Sequence, residues 1–157
     1  MNKFIYTLLI PIVTIQSIAL AHCQVPCGIY DDALRIVQIK EDFKTIRKTM
    51  DQISQLSKKT DPLSNNQLTR WVITKEQHAT NIQKIVSEYF LTQRVKTAKN
   101  QKYIDQTTTL HQVLVAAMKC KQTVDDSNVD LGVQLVDIFI GYYFDDHGVD
   151  HLKKLTE

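Results

Sequence analysis

Apolar side chains recur every three or four residues along four stretches of the chain, and this spacing constrains the fold more than any other feature. The stretches cover residues 36–53, 68–89, 110–124 and 129–143. Such a repeat places the apolar positions on one face of an α-helix. No convincing window alternates apolar and polar residues as a half-buried strand does. We therefore expect an all-α protein, an antiparallel four-helix bundle with short connections.

Polar residues predict where these helices begin. Asp31 and Asp32 offer an N-cap and a favourable negative charge at the start of the first helix. We expect Asn65 or Asn66 to cap the second helix, and residues 125–128 to form a turn and a cap before the fourth.

Four further features of the predicted helices carry structural information. Lys75 falls on the stripe of the second helix, which suggests a helix interface, and Cys120 falls on the third stripe as a small buried side chain. The tail after Asp145 predicts a short, weakly anchored helix. An apolar excess on the fourth helix indicates contact with another subunit. The residues beyond its stripe are Leu131, Leu135, Ile138, Phe139 and Tyr142.

Residues 1–21 have the composition of a secretory signal peptide. Lys3 precedes a long apolar run that ends in the small-x-small pattern at residues 19–21. Cleavage there leaves residues 22–157 as one domain, exported to the periplasm or the outside of the cell. An uncleaved membrane anchor, or a lipoprotein leader ending at Cys23, are the alternatives.

Charge and motifs exclude several classes of partner and enzyme. Without Lys3, the remaining chain has 18 basic and 17 acidic residues and no basic run. This composition indicates neither a nucleic-acid partner nor, after signal cleavage, a membrane partner. Neither G-x-G-x-x-G, G-x-S-x-G nor C-x-x-C-H occurs, so phosphate-loop, hydrolase and c-type haem readings have no support.

The segment that begins at His22 has the donors of a metal site. Cleavage would free the His22 amine, which lies next to the amide nitrogen and thiolate of Cys23 along the backbone. The Cys27 thiolate can complete a plane of two nitrogens and two sulfurs, and Pro26 helps to turn the chain back. The His22 imidazole can reach an axial position. A Cys23–Cys27 disulfide is the alternative in an oxidising compartment.

This donor set favours particular metals and a redox function. A square plane of nitrogen and sulfur ligands suits nickel(II) or copper(II). Ionised amide and thiolate donors stabilise a higher oxidation state, which brings a nickel(III)/nickel(II) couple within reach. An accessible one-electron oxidant and reductant is what the disproportionation of superoxide requires.

The string H-C-x-x-P-C-G-x-Y at residues 22–30 resembles the nickel hook of nickel-containing superoxide dismutases. Segments 75–77 (KEQ), 87–90 (SEYF) and 110–112 (LHQ) resemble parts of the same family's second and third helices. The resemblance implies an irregular metal-binding hook on a four-helix subunit. It also implies a homohexamer with one nickel ion per subunit and superoxide as the substrate.

The resemblance also implies roles for individual residues. His22 would supply the amine and the axial imidazole, Cys23 its amide and thiolate, and Cys27 the second thiolate in the plane. Tyr30 would stand at the mouth of the site and help to position superoxide or an ordered water. Tyr89 would approach the same pocket.

Several positions around the hook depart from the family pattern. Gln24 stands where well-known members carry aspartate, and Gln38 (or Val37 with one deletion) where a carboxylate holds the axial imidazole. His78 replaces the arginine expected after Lys-Glu-Gln. Together with Pro26 and Tyr89, these residues are the expected surroundings of the ligands, and the partner of the axial imidazole stays open. The leader also departs, because family members are often made with a short non-secretory prosegment.

Two other functions remain compatible with the residues alone. One is an exported, non-catalytic helical-bundle binding protein whose N-terminus is held by a Cys23–Cys27 disulfide. The other is a metal carrier that uses the hook without turnover.

Overall fold

The computed structural model describes residues 30–157, and that part of the chain is helical with short connections. The helices are α1 (Asp32–Leu56), α2 (Pro62–Lys84), a π-helix (Ile85–Arg94), α3 (Gln101–Gln122), α4 (Ser127–Tyr143) and α5 (Asp146–Thr156). Residues 30–157 contain no strand, so the predicted all-α helical bundle is confirmed. Within the same range no helix is both long and apolar enough to cross a membrane. The predicted leader and residues 22–29 of the hook lie outside the described residues.

The predicted stripes form one common core. α1 packs mainly on α2, and α3 packs mainly on α4. Phe43, Phe90 and Phe139 are almost fully buried, and the rings of Phe90 and Phe139 meet edge to face at 5.2 Å between centroids. Cys120 is fully buried on α3, as its position on the stripe predicted.

The start of α2 differs from the prediction. Asp61, rather than Asn65 or Asn66, is the N-cap, and its carboxylate accepts a hydrogen bond of 2.9 Å from the backbone N–H of Ser64. Pro62 occupies the first helical position, where its fixed φ suits the helix and its missing N–H costs nothing. The Asp-Pro pair therefore begins the helix one turn earlier than expected.

Lys75 lies on the apolar stripe because it caps another helix. Its Nζ donates to the carbonyl oxygens of Lys121 (2.7 Å) and Thr123 (2.8 Å) at the C-terminal end of α3. A cation at this position satisfies carbonyls that have no partner within the helix. Val72, one turn earlier on the predicted stripe of α2, is 39% exposed.

The apolar excess of α4 divides into two groups. Leu135 and Phe139 are buried in the core of the subunit. Leu131, Ile138 and Tyr142 are 42%, 40% and 41% exposed, and their spacing places them on one side of the helix. Only this second group forms an outward apolar face.

Helix α5 is better anchored than predicted. The Asp145 carboxylate caps it by accepting a 2.8 Å hydrogen bond from the N–H of Gly148. Leu152 is buried, with α5 packed against α1, and His151 Nε2 lies 3.1 Å from Asp31 Oδ2. The expectation of a weakly held tail is therefore wrong, because the cap, the apolar contact and the polar contact all hold the helix.

Two glycines of α4 provide a test of how closely α1 and α4 approach. A Cβ at Gly132 would overlap the ring of Phe43, whereas a Cβ at Gly141 would have no neighbour within 4 Å. We expect Gly132→Ala to lower the free energy of unfolding by about 1–3 kcal/mol through overpacking. Gly141→Ala, its matched control, should raise it by up to about 1 kcal/mol through helix propensity. Urea unfolding measures both, and a Gly132→Ala protein as stable as the parent would contradict the described contact.

Candidate metal centre

The structure describes the surroundings of the hook from Tyr30 onward. Five of the residues predicted for the site lie outside the described residues: His22, Cys23, Gln24, Pro26 and Cys27. Within residues 30–157, no group of three or more His, Cys, Asp or Glu side chains could hold a metal ion. Burial raises the pKa of the Cys120 thiol to about 11, so this side chain is protonated at neutral pH and a poor ligand.

Tyr30 is held by side chains of the π-helix. Its hydroxyl donates a hydrogen bond of 3.3 Å to Oε1 of Gln93. Its ring centroid lies 6.0 Å from that of Tyr89 and 5.0 Å from the guanidinium carbon of Arg94. Tyr89 and Tyr30, which the sequence placed at one pocket, are thus neighbours.

The carboxylate of Asp32 joins three elements at this end of the bundle. It accepts hydrogen bonds from the hydroxyls of Tyr89 (2.5 Å) and Tyr143 (2.7 Å). Arg94 donates from Nε to Oδ1 (2.9 Å) and from Nη2 to Oδ2 (2.8 Å). Sequence reasoning missed this role, since it assigned Asp32 only to the helix start. Asp31 is the N-cap of α1.

These contacts determine which groups are charged. Burial alone would raise the pKa of Asp32, but hydrogen bonds from Arg94, Tyr89 and Tyr143 outweigh it and lower this pKa. Burial raises the pKa of Tyr143 to about 12, and the hydrogen bond to Asp32 is the second-largest cause of this shift. The same two causes raise the pKa of Tyr89. At neutral pH the carboxylate is therefore ionised, and both phenols remain protonated donors.

The π-helix explains why Tyr89 and Arg94 meet the same carboxylate. Residues five apart point to different sides of an α-helix, which has 3.6 residues per turn. Hydrogen bonds to the fifth preceding residue bring such positions back onto one face, and Val95 N donates to Phe90 O in this pattern at 2.8 Å. The wider helix thus aligns the phenol and the guanidinium toward α1.

Gln38 and His78, the other expected neighbours of the hook, bind different partners. Gln38 accepts a 2.8 Å hydrogen bond from Arg35 Nη1. His78 Nδ1 lies 2.6 Å from Oδ1 of Asp42, whose Oδ2 accepts a 2.6 Å bond from the Asn81 amide. Asp42 is buried and lies one turn after Gln38 on α1. A carboxylate is therefore present beside His78, at a position that the family pattern did not indicate.

A cleft of about 970 Å³ opens beside Tyr30, where α1, α3 and α5 begin. Its walls include Asp32, Arg94 and Tyr143, together with Lys102 from the first turn of α3. Arg94, which contacts the Tyr30 ring, thus borders a solvent-filled cleft in the part of the chain described.

The lowered pKa of Asp32 gives a stability prediction with a definite sign. Because ionised Asp32 is favoured in the fold, its contribution is present above the pKa of the unfolded chain and is lost as the pH falls through the folded-state pKa. We expect Asp32→Asn to lower the free energy of unfolding by about 1–3 kcal/mol at neutral pH, with the difference from the parent shrinking in acid.

Denaturant unfolding at several pH values measures this difference. The matched control is Asp137→Asn, which removes a carboxylate 56% exposed in a surface ion pair with Lys40. We expect Asp137→Asn to lower the free energy of unfolding by less than about 1 kcal/mol. If the difference in unfolding free energy between Asp32→Asn and the parent did not change with pH, it would contradict the conclusion that Asp32 is ionised in the folded protein.

Comparison with known families matches residues 17–147 to the nickel-containing superoxide dismutases. No curated protein and no solved structure matches the chain. The matched range begins in the predicted leader, includes the whole hook and the four-helix core, and ends at the start of α5. The chain therefore belongs to the nickel-containing superoxide dismutase family, and it is an oxidoreductase with a nickel cofactor in each subunit.

Proposed function

We propose that the mature chain converts superoxide to dioxygen and hydrogen peroxide at a nickel ion that alternates between nickel(II) and nickel(III). The observation that carries this proposal is the family match across residues 17–147, which spans both the leader junction and the hook. When bound, nickel supplies the one-electron oxidant and reductant that disproportionation needs. The remaining chemistry belongs to the side chains that bind the ion and receive the substrate.

The donor set of the hook supports nickel at the processed N-terminus. An α-amine has a reference pKa of about 7.7–8.0, so a metal ion can displace its proton near neutral pH. With the amide and thiolate of Cys23 and the thiolate of Cys27, it provides the nitrogen and sulfur donors that suit a square plane. The His22 imidazole would supply a further nitrogen ligand to the ion.

Tyr30 is proposed to receive superoxide or an ordered water at the mouth of the site. Tyr30 is only three residues after the proposed ligand Cys27, so it is near the proposed metal-binding segment in sequence. Its hydroxyl is held by Gln93 and its ring by Tyr89 and Arg94. With its proton donated to Gln93, the Tyr30 oxygen can accept a hydrogen bond from an ordered water, which can in turn donate to superoxide.

Asp42 and His78 are proposed to orient the axial imidazole in place of a carboxylate at Gln38. In the neutral tautomer that carries its proton on Nδ1, His78 donates to Asp42 and its Nε2 atom can accept a hydrogen bond from an N–H group. Hydrogen bonds of this type set the direction of a metal-bound imidazole. Superoxide decay that is unaffected by His78→Ala would count against this role.

Export and assembly are further parts of the proposal. The apolar run and the small-x-small site before His22 support export to the periplasm or beyond. The outward face of Leu131, Ile138 and Tyr142 supports association with other subunits, and a homohexamer is the state that the family resemblance implies. Sedimentation of the mature protein distinguishes this state from a monomer.

Substitutions in the hook should separate metal binding from turnover. Cys23→Ser and Cys27→Ser each replace a soft thiolate with a hydroxyl that ionises far less readily, so planar nickel binding and superoxide decay should both be lost. His22→Ala keeps the amine, the amide and both sulfurs, so nickel should still bind while superoxide decay drops steeply. Metal analysis and pulse-generated superoxide decay measure the two properties.

The matched control for the thiolates is Cys120→Ala, which removes a buried cysteine outside the hook and should leave the nickel content unchanged. A bundle pinned by a Cys23–Cys27 disulfide predicts no nickel in any of these proteins, and a metal carrier predicts nickel without superoxide decay. Unchanged activity in Cys27→Ser would eliminate the nickel proposal.

The mature N-terminus gives an independent prediction. Because the small-x-small site and the hook adjoin without a spare residue, intact mass and N-terminal sequencing should find a chain that begins at His22 with a free amine. One additional residue, or an acylated Cys23, would remove the proposed amine ligand.

A further inference from the structure

The pairing of Asp32 with Arg94 fixes a guanidinium beside Tyr30. The two side chains are only 15% and 30% exposed, and they meet through three hydrogen bonds of 2.8–3.2 Å. Since the hydroxyls of Tyr89 and Tyr143 bind the same carboxylate, Asp32 is itself held from two further directions. The guanidinium cannot swing away without breaking this arrangement.

Tyr30 is positioned by residues that depend on this pairing. Arg94 lies 5.0 Å from the centroid of its ring, within the range of a cation–π interaction. Gln93, the acceptor of the Tyr30 hydroxyl, is adjacent to Arg94 on the π-helix, and Tyr89 binds Asp32 as well. Displacement of Arg94 would therefore disturb the ring and the hydroxyl of Tyr30 together.

We infer that Asp32 and Arg94 are positioning residues for Tyr30 in the superoxide reaction. Neither belongs to the proposed ligand set, and both act on the hook through Tyr30. This inference rests on the proposed function for its catalytic consequence, whereas the effect on Tyr30 itself does not require nickel. A purely structural role would predict that activity follows stability in every variant.

A set of variants separates positioning from stability. Arg94→Gln removes the cation and leaves Asp32 partly buried without its counter-ion. We therefore expect lower stability and a displaced Tyr30 ring. The double variant Asp32→Asn with Arg94→Gln replaces the ion pair by two amides. These amides can hydrogen-bond to each other and to the tyrosines. The ring of Tyr30, however, no longer has a cation beside it. Arg94→Lys retains a positive charge near the ring. Arg47→Gln is the matched control, because Arg47 pairs with Asp130 on the surface between α1 and α4.

The expected pattern is loss of rate without loss of metal. At unchanged nickel content, Arg94→Gln should lower kcat/KM about tenfold or more, as misplaced reacting groups commonly do. The double variant should recover thermal stability but not kcat/KM, Arg94→Lys should recover part of kcat/KM, and Arg47→Gln should leave it unchanged. If kcat/KM in the double variant returned with its stability, the positioning role would be refuted.

Nuclear magnetic resonance of nickel-free protein with ring-labelled tyrosine tests the same inference without activity. The Tyr30 ring signal is assigned with Tyr30→Phe, and it should shift in Arg94→Gln and in the double variant but not in Arg47→Gln. An unshifted signal overturns the inference. If the signal responds as expected but the parent shows no superoxide decay, the positioning of Tyr30 stands and the proposed function fails.

Discussion

The end of the bundle beside the hook depends on one carboxylate, that of Asp32. It accepts hydrogen bonds from Tyr89 and Arg94 of the π-helix and from Tyr143 of α4, while its own backbone begins α1. Each hydrogen bond to a charged group contributes roughly 1.5–3 kcal/mol. A carboxylate only 15% exposed loses much of its hydration, and these hydrogen bonds offset that loss. The helices therefore meet here in an arrangement that satisfies the carboxylate from three directions.

The π-helix is the backbone consequence of this constraint. A continuous α-helix would direct Tyr89 and Arg94 to different sides, and only one of them could then reach Asp32. The wider winding of Ile85–Arg94 brings both to the carboxylate while Val86 and Phe90 remain in the core. The same face carries the contacts to Tyr30, so the winding that satisfies Asp32 also holds the ring of Tyr30 in place.

Local patterns in the sequence predicted the helices, but they did not predict contacts between residues that are far apart in the sequence. The stripes through Phe43 and Cys120 depend on spacing along one helix, so they could be read directly. The partners of Asp32 lie 57, 62 and 111 residues away, and no local pattern connects them. Lys75 was conspicuous as a cation on an apolar stripe, but the carbonyls that it caps became evident only once α2 and α3 were seen side by side.

The same reasoning separates two parts of the candidate site. The proposed ligands are contiguous, because an amine, an amide and a thiolate chelate one ion only when they are neighbours along the backbone. Such a set is visible in the sequence and tolerates little change. The groups that hold the ligands need only reach the site in space, so they can move between helical turns. Gln38 lacks the expected carboxylate, but Asp42 presents one to His78 a turn later. A helix repeats its faces every three to four residues, and a supporting carboxylate can therefore shift by one turn while the contiguous ligand string stays intact.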